Sequence, residues 1–212
     1  MTIEDTTASV VGSLLKLGAA TLGESGGQGL NTRIRAIWPG ASFAGPAFGV
    51  RCPVGDNLAV HAAVARAPRD SVLAVTVAGD VSRGYWGEVL ATAAQAAGIV
   101  ALVIDGTVRD LDRLAAMEFP VFARGHSLPG AAKCGPGEIG GTVALGDVTV
   151  HTGDWLVGDA DGIVSIRPDQ LDAVIAAART REAKETGMFE RLKAGSTTVE
   201  LLGLDISSIR GA

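Results

Sequence analysis

The stretch Trp86–Asp110, WGEVLATAAQAAGIVALVIDGTVRD, decides the fold. Between Glu88 and Asp105 it holds no charged residue. Gly87-Glu88 opens a helix expected to run to about Ala97, and Gly98 stops it. The apolar run IVALVI (99–104) is short and rich in β-branched residues, the pattern of a strand buried on both faces. Upstream, SVLAVTV (71–77) reads as a second buried strand. Downstream, Asp105 to Arg109 reads as a loop, DLDRLAAM (110–117) as a helix and FPVFA (119–123) as a short strand. Strand, helix, strand, helix, strand is a βαβ series, which predicts a parallel sheet.

The flanks extend this reading. Thr6 or Thr7 is expected to cap an amphipathic helix that ends near Gly23. The glycine-rich loop GESGGQG (23–29) follows, then a strand with turn residues, SFAGPAFGVRC (42–52). GDNLAVHAAVARA (55–67) reads as a helix with Asp56 or Asn57 as its cap. After Gly130 the character changes. GTVALGDVTVHTGDWLVGDADGIVSI (141–166) has short strands punctuated by Gly-Asp turns and predicts antiparallel pairing. A long amphipathic helix is expected from Pro168 to about Ala194, and a short one at TTVELLGL (197–204). The reading is one α/β domain over residues 1–212, with a parallel βαβ part, a β-rich layer and a long C-terminal helix.

Of the 212 residues, 47% are hydrophobic and 19% charged, a globular composition, and the net charge is −5. No Lys/Arg cluster is present, so no nucleic-acid partner is expected. The mixed-sign run from Arg179 to Arg191 reads as a solvated helix face. Cys52 and Cys134 are far apart and suggest no disulfide framework, so a reducing cytoplasm is the expected location. The N-terminus carries Glu4 and Asp5 and lacks the positive region of a signal peptide. No apolar run is long enough to span a bilayer, so no membrane partner is expected.

In a parallel βαβ series the loops after successive strands emerge at one edge, where ligands bind. Glu88 follows one strand and Arg109-Asp110 the next, so the three are expected at one rim. Each sits near a helix N-terminus, whose free N–H groups attract anions. Hard carboxylate oxygens suit Mg²⁺ or Mn²⁺. Arginine binds a planar carboxylate or a developing enolate with two parallel hydrogen bonds. Together they suit a small 2-oxo acid whose carbonyl chelates a metal. A plain structural reading stands beside this one: Asp110 caps its helix, Glu88 complements a helix dipole and Arg109 pairs with either.

Four segments carry a family resemblance: PAFGVRCPVGDNLAVHAAV, WGEVLATAAQAAGIVALVIDGTVRD, FPVFARG and GDWLVGDADGIVSI. Over about Trp38 to Arg191 the chain resembles the class II pyruvate aldolases, the family of 4-hydroxy-4-methyl-2-oxoglutarate aldolase and regulator of ribonuclease activity A. The family's aldolase signature is an acidic residue, twenty residues, then Arg-Asp. Glu88, Val89 to Val108 and Arg109-Asp110 match it without a gap. In the ribonuclease regulators the acidic residue after the arginine is typically absent, so Asp110 favours an enzyme.

The resemblance implies that Asp110 is the direct metal ligand and that Glu88 holds the metal through water. It implies that Arg109 binds the pyruvyl oxygen and stabilises the enolate. The backbone N–H groups of Val89 and Leu90, beside Gly87, would bind the substrate carboxylate. A glutamate from a neighbouring subunit's C-terminal helix would complete the outer shell, with Glu185 the candidate and Glu182 the reserve. The implied fold is a swivelling β/β/α domain that forms homotrimers or homohexamers. The chain departs from the family pattern at Ala78-Gly79, where Gly-Gly is common, at Gly84, where alanine is usual, and through LGESGGQGLNTRIRAI (22–37).

Other signals point elsewhere or nowhere. GESGG has no two-barrel context for a serine protease. GPGEIG (135–140) precedes a strand, TVAL, where a dinucleotide site needs a helix, so it reads as a turn. The three histidines never stand four apart and no C-x-x-C occurs, which argues against zinc. His61 reads as structural. His126 follows a strand at the same rim and is open to substrate contact, while Asn57 is open to capping or ligand contact. A Schiff-base aldolase needs a buried lysine. Of Lys16, Lys133, Lys184 and Lys193 only Lys133 is conceivable, so metal catalysis is the better reading.

The expected function is a metal-dependent lyase that cleaves 4-hydroxy-2-oxo acids to pyruvate and decarboxylates oxaloacetate through the same enolate, with an activated water as base. The alternatives are a non-catalytic regulator of a ribonuclease or other protein, and a specialised pathway enzyme using the same enolate site.

Overall fold

In a computed structural model that describes residues 3–211, the quoted stretch supplies a helix and a central strand of a nine-stranded mixed sheet. The chain begins with α1 (Ile3–Glu24), β1 (Gln28–Gly29), β2 (Arg35–Ala36), β3 (Phe43–Arg51), α2 (Leu58–Arg66) and β4 (Val72–Thr76). It continues through α3 (Glu88–Ala97), β5 (Ala101–Asp105), β6 (Thr107–Val108), α4 (Leu111–Ala116), β7 (Val121–Ala123) and β8 (Gly125–His126). It closes with β9 (Glu138–Gly141), β10 (Val143–Leu145), β11 (Val148–Val150), β12 (Trp155–Gly158), β13 (Ile163–Ile166), α5 (Leu171–Lys193) and α6 (Thr198–Leu202).

Strands β3, β4, β5 and β7 run parallel, as the βαβ pattern predicts. The later strands are antiparallel: β12 pairs with the first half of β3, β9 with its second half, and β13 with β12. Residues of β4 and β5 alternate between two buried faces. Leu73, Val75, Leu102 and Ile104 pack under α2, α3 and α4 with Trp86 and Phe119. Val72, Ala74, Ala101 and Val103 pack on the opposite face with Phe43, Phe122 and Leu145. A third cluster joins α1 and α5 to β12 and β13 through Leu14, Leu22, Val164 and Val174. Among the described residues no helix is long and apolar enough to cross a membrane.

Three local expectations need correction. The first helix already runs from Ile3, so Thr6 and Thr7 lie within it and not at its start. It breaks instead at Gly18, at φ 75°, and the Asp159 carboxylate accepts the Ala19 N–H at 2.7 Å where the helix resumes. The Asp105–Arg109 loop contains β6, which pairs in parallel with β8. At the second helix, of the two expected caps, Asp56 serves: its Oδ1 accepts the Leu58 N–H at 2.8 Å, while the Asn57 side chain makes no cap bond. GPGEIG, expected to be a turn, leaves only its first three residues for one; Glu138 to Gly140 already belong to β9.

Gly98 ends α3 as expected, at φ 79° with its N–H on the carbonyls of Ala94 and Gln95. Ala78 is different. It sits where the resembling family has glycine, and its φ is 54°, in the left-handed region. That conformation costs an L-residue about 1–2 kcal/mol, part of which glycine offsets by its larger unfolded-state entropy. Ala78→Gly is expected to raise stability by about 0.5–1 kcal/mol, read as an upward shift of the thermal midpoint. A lower midpoint would show that the alanine methyl is held by contacts that outweigh the strain.

Candidate active site

Thr76 and Asp105 pair at the ends of β4 and β5, so the chain leaves both strands at one edge. The two loops then close on each other. The Tyr85 N–H donates to the Thr107 carbonyl at 2.9 Å, and the Arg109 N–H to the Trp86 carbonyl at 2.8 Å. These bonds bring Gly87-Glu88 against Arg109-Asp110.

Asp110 adopts φ 61° and makes no cap bond to its own helix α4. Its Oδ2 instead accepts the Glu88 N–H at the start of α3, at 3.0 Å, with Arg109 Nε 3.8 Å away. A Cβ at Gly87 would collide with that carboxylate, so only glycine permits the approach. The structural alternative for Asp110, a cap on its own helix, is therefore not what the geometry shows.

A cavity of about 200 Å³ opens here. Gly87, Val89, Leu90, Arg109 and Asp110 line it, together with Asn57, His61, Trp86 and Lys133. In the first turn of α3 the N–H groups of Val89 and Leu90 lie beyond any intrahelical acceptor, which leaves them for an anion. Glu88 is exposed, and its side chain is not part of the cavity wall. Neither Glu185 nor Glu182 of the same chain lines it, and Glu185 accepts from Arg181 Nε at 2.8 Å. His126 faces another cavity, with Arg33, Arg35 and Arg124. The Gly23–Gly29 loop lies away from the site, and its Gln28-Gly29 end pairs with β13.

The sequence reading undervalued His61. Asn57, at the N-cap of α2, and His61 within it stand four apart, on one face of the helix, and that spacing was the available signal. The Asn57 Nδ2 donates to the Tyr85 carbonyl at 2.8 Å, which fixes the amide and leaves Oδ1 as a buried acceptor without a partner. His61 Nε2 and Trp86 Nε1 are also buried and unpartnered. Burial and the charge of Lys133 push the His61 pKa below its ordinary value, against an opposing pull from Asp56, and the net shift favours the neutral ring.

Asp56 ties the Lys133 loop to α2, since its Oδ2 accepts the N–H groups of Cys134 at 2.6 Å and Gly135 at 2.8 Å. Burial alone would raise its carboxyl pKa. The bonds from Cys134, Leu58 and Gly135 outweigh that and hold it below the usual range. Among the described residues no group of three or more His, Cys, Asp or Glu gathers at one point. The donor set still suits Mg²⁺ or Mn²⁺, which need only one or two protein carboxylates and otherwise keep water. Asp110 lines the cavity, with its Oδ2 accepting the Glu88 N–H.

The profile of the RraA-like family, described as Aldolase/RraA, matches residues 7–165, and the chain belongs to that family. It is similar to a protein of Halalkalibacterium halodurans provisionally named 4-hydroxy-4-methyl-2-oxoglutarate aldolase, 33% identical over 156 residues that cover 74% of each chain. A solved structure of an uncharacterised protein from Pseudomonas syringae pv. tomato superposes with a TM-score of 0.80 at 27% identity, over 90% of this chain and 91% of that one. The RNA-processing inhibitor RraA from Thermus thermophilus superposes at 0.65 and 26% identity, over 70% of this chain and 92% of its own.

Tyr85 anchors the loop that precedes the site. Its hydroxyl donates to Asp80 Oδ2 and accepts the Gly55 N–H at 2.7 Å. Burial, reinforced by Asp80, pushes the Tyr85 pKa up to about 12. A phenol whose folded pKa exceeds its unfolded value near 10 stabilises the fold fully below pH 10 and loses that contribution as pH rises toward 12. Burial works against Asp80 ionisation, but the bonds from Tyr85 and Ser82 prevail and lower its pKa. Its contribution is present above the unfolded carboxylate value and is lost as pH falls through the folded one. Tyr85→Phe is expected to cost about 1–3 kcal/mol at pH 7, a gap that narrows below about pH 4 and again above about pH 10. Denaturant titrations across pH would measure it, and a gap independent of pH would refute the assignment.

Proposed function

We propose that this RraA-like chain is a divalent-metal-dependent carbon–carbon lyase. It would cleave 4-hydroxy-2-oxo acids to pyruvate through an enolate and decarboxylate oxaloacetate through the same enolate. One observation supports this best: Arg109 and Asp110 meet the N-terminus of α3 in one cavity. The named aldolase relative agrees with it.

Asp110 would hold Mg²⁺ or Mn²⁺, with Glu88 engaging it through water. When bound, the cation supplies Lewis-acid stabilisation of the negative charge that grows on the substrate's 2-oxo oxygen. The N–H groups of Val89 and Leu90 bind the substrate carboxylate, and Gly87 lets it approach the backbone. Arg109 donates to the 2-oxo oxygen, where its charge counts most once the enolate forms. Loss of the 4-hydroxyl proton to water makes the new carbonyl. The C3–C4 bond breaks, and its electron pair enters the enolate of pyruvate. Protonation at C3 completes the product. Asn57, His61 and Lys133 provide polar partners for the rest of the substrate. The exposed Lys133 does not suit a Schiff base, which needs a desolvated lysine.

The outer shell is incomplete within one chain. We assign its completion to Glu185 of a neighbouring subunit in a homotrimer or homohexamer. The half of α5 that carries Glu185 is not buried in its own chain, whose buried positions in that helix stop at Ala178. A non-catalytic regulator of a ribonuclease is the second reading, favoured by the likeness to an RNA-processing inhibitor. A specialised pathway enzyme with the same enolate chemistry is the third, favoured by the unusual 22–37 segment.

Excess EDTA is expected to abolish pyruvate release from a panel of 4-hydroxy-2-oxo acids, and Mg²⁺ or Mn²⁺ to restore it. Arg109→Lys keeps the charge but loses the planar fork. It should lower kcat by roughly 10²–10³, slow pyruvate C3-proton exchange in parallel and leave the melting temperature nearly unchanged. Full activity in EDTA would end the metal reading, and an Arg109→Lys enzyme with normal turnover and exchange would end the enolate role. Light scattering that finds an active monomer would exclude the shared site.

A further inference from the structure

We propose that the cavity between β2 and the β7–β8 turn is a second anion site, built for a phosphate group. It has a volume of about 180 Å³ and is lined by Arg33, Arg35, Arg124 and His126, beside Leu111 and Gly125. It shares no residue with the Arg109 cavity, and no carboxylate lines it. That concentration of positive charge runs against the chain's net charge of −5.

The pairing of β2 with β7 sets Arg35 opposite Ala123, next to Arg124 in the chain. Two guanidinium groups are held by their own turn. Arg33 Nε donates to Asn31 Oδ1 at 3.2 Å, and Arg35 Nε donates to the Thr32 carbonyl at 2.7 Å. Among the described residues neither has a carboxylate partner, so the outer Nη edges of both are unengaged. Arg124 is more committed. Its Nη1 donates to the Gly79 carbonyl at 2.9 Å and lies 3.5 Å from Asp105 Oδ1.

Of the three arginines lining the cavity, Arg124 is compensated by Asp105, which leaves two positive charges on Arg33 and Arg35; Asp147 stands with Arg33 and Arg124 in the adjoining cavity and does not line this one. A phosphomonoester carries about −1.5 to −2 at neutral pH and offers three acceptor oxygens. Arginine forks match that geometry with paired hydrogen bonds, and the imidazole of His126 adds a further donor. A single carboxylate would leave one of the two charges uncompensated. The cavity is smaller than the roughly 300–1,000 Å³ typical of drug-sized ligands, so it suits the phosphate group itself, free or at the end of a small metabolite.

Calorimetric titration of the intact protein with inorganic phosphate and with glycerol phosphate, at ionic strength balanced by chloride, tests the site. Saturable binding of one or both is expected. The Arg33→Gln/Arg35→Gln variant should weaken it by at least about tenfold, in the wild-type background and in Arg109→Lys alike, while Arg66→Gln on α2 should bind as wild type does. Arg35→Lys, which keeps the charge and removes the fork, should bind several-fold more weakly and covers the case in which the double variant does not fold. Tighter binding of the ester would identify a phosphorylated metabolite as the source, and tighter binding of the inorganic ion free phosphate. No saturable heat with either probe, a folded double variant that binds normally, or loss of binding in Arg109→Lys would each overturn the proposal.

Discussion

Everything at the sheet edge depends on two backbone hydrogen bonds that close one loop onto another, from Tyr85 to Thr107 and from Arg109 to Trp86. They convert a sequence separation of some twenty residues into contact between Glu88 and Asp110. The approach is possible only without side chains on one partner. A Cβ at Gly84 would press on the Ser127 carbonyl and on Arg109, and one at Gly87 would strike the Asp110 carboxylate. Gly84 stands where the resembling family usually carries alanine, so in this chain the Arg109 loop can settle closer to its neighbours than the family pattern would allow. Ala78, where that family favours glycine, has the opposite character, since a methyl group is held in a left-handed backbone. The two departures lie at the ends of one loop and change its freedom in opposite directions.

The parallel half of the fold was legible because burial on both faces leaves a plain mark. A charge-free helix and strand, bracketed by Gly87 and Gly98, admit few arrangements. The rim position of Glu88, Arg109 and Asp110 followed from topology alone. What the sequence did not reveal depends on long-range contacts. The two-residue strands β6 and β8 are too short to show any periodicity, and they exist because each completes the other. The restart of α1 after Gly18 relies on Asp159, 140 positions away. His126 was correctly read as following a rim strand, but the β6–β8 ladder directs it into the Arg33–Arg35 cavity and away from Arg109. Asn57 has the residue type of a cap, yet its neighbour Asp56 takes that work, because Asp56 also binds the Cys134–Gly135 backbone.

Unmet hydrogen bonding gathers at one place in the molecule. Buried polar atoms are nearly always paired, and leaving one unpaired costs about 1–3 kcal/mol. Among the described residues the unpartnered buried side-chain atoms belong to Asn57, His61 and Trp86, and all three residues line the cavity that holds Arg109 and Asp110. Asp110 adds backbone strain at the same place. Costs of this kind are offset when a small polar ligand supplies the missing partners. That concentration of polar atoms without protein partners marks the cavity as a place where a small polar ligand is bound.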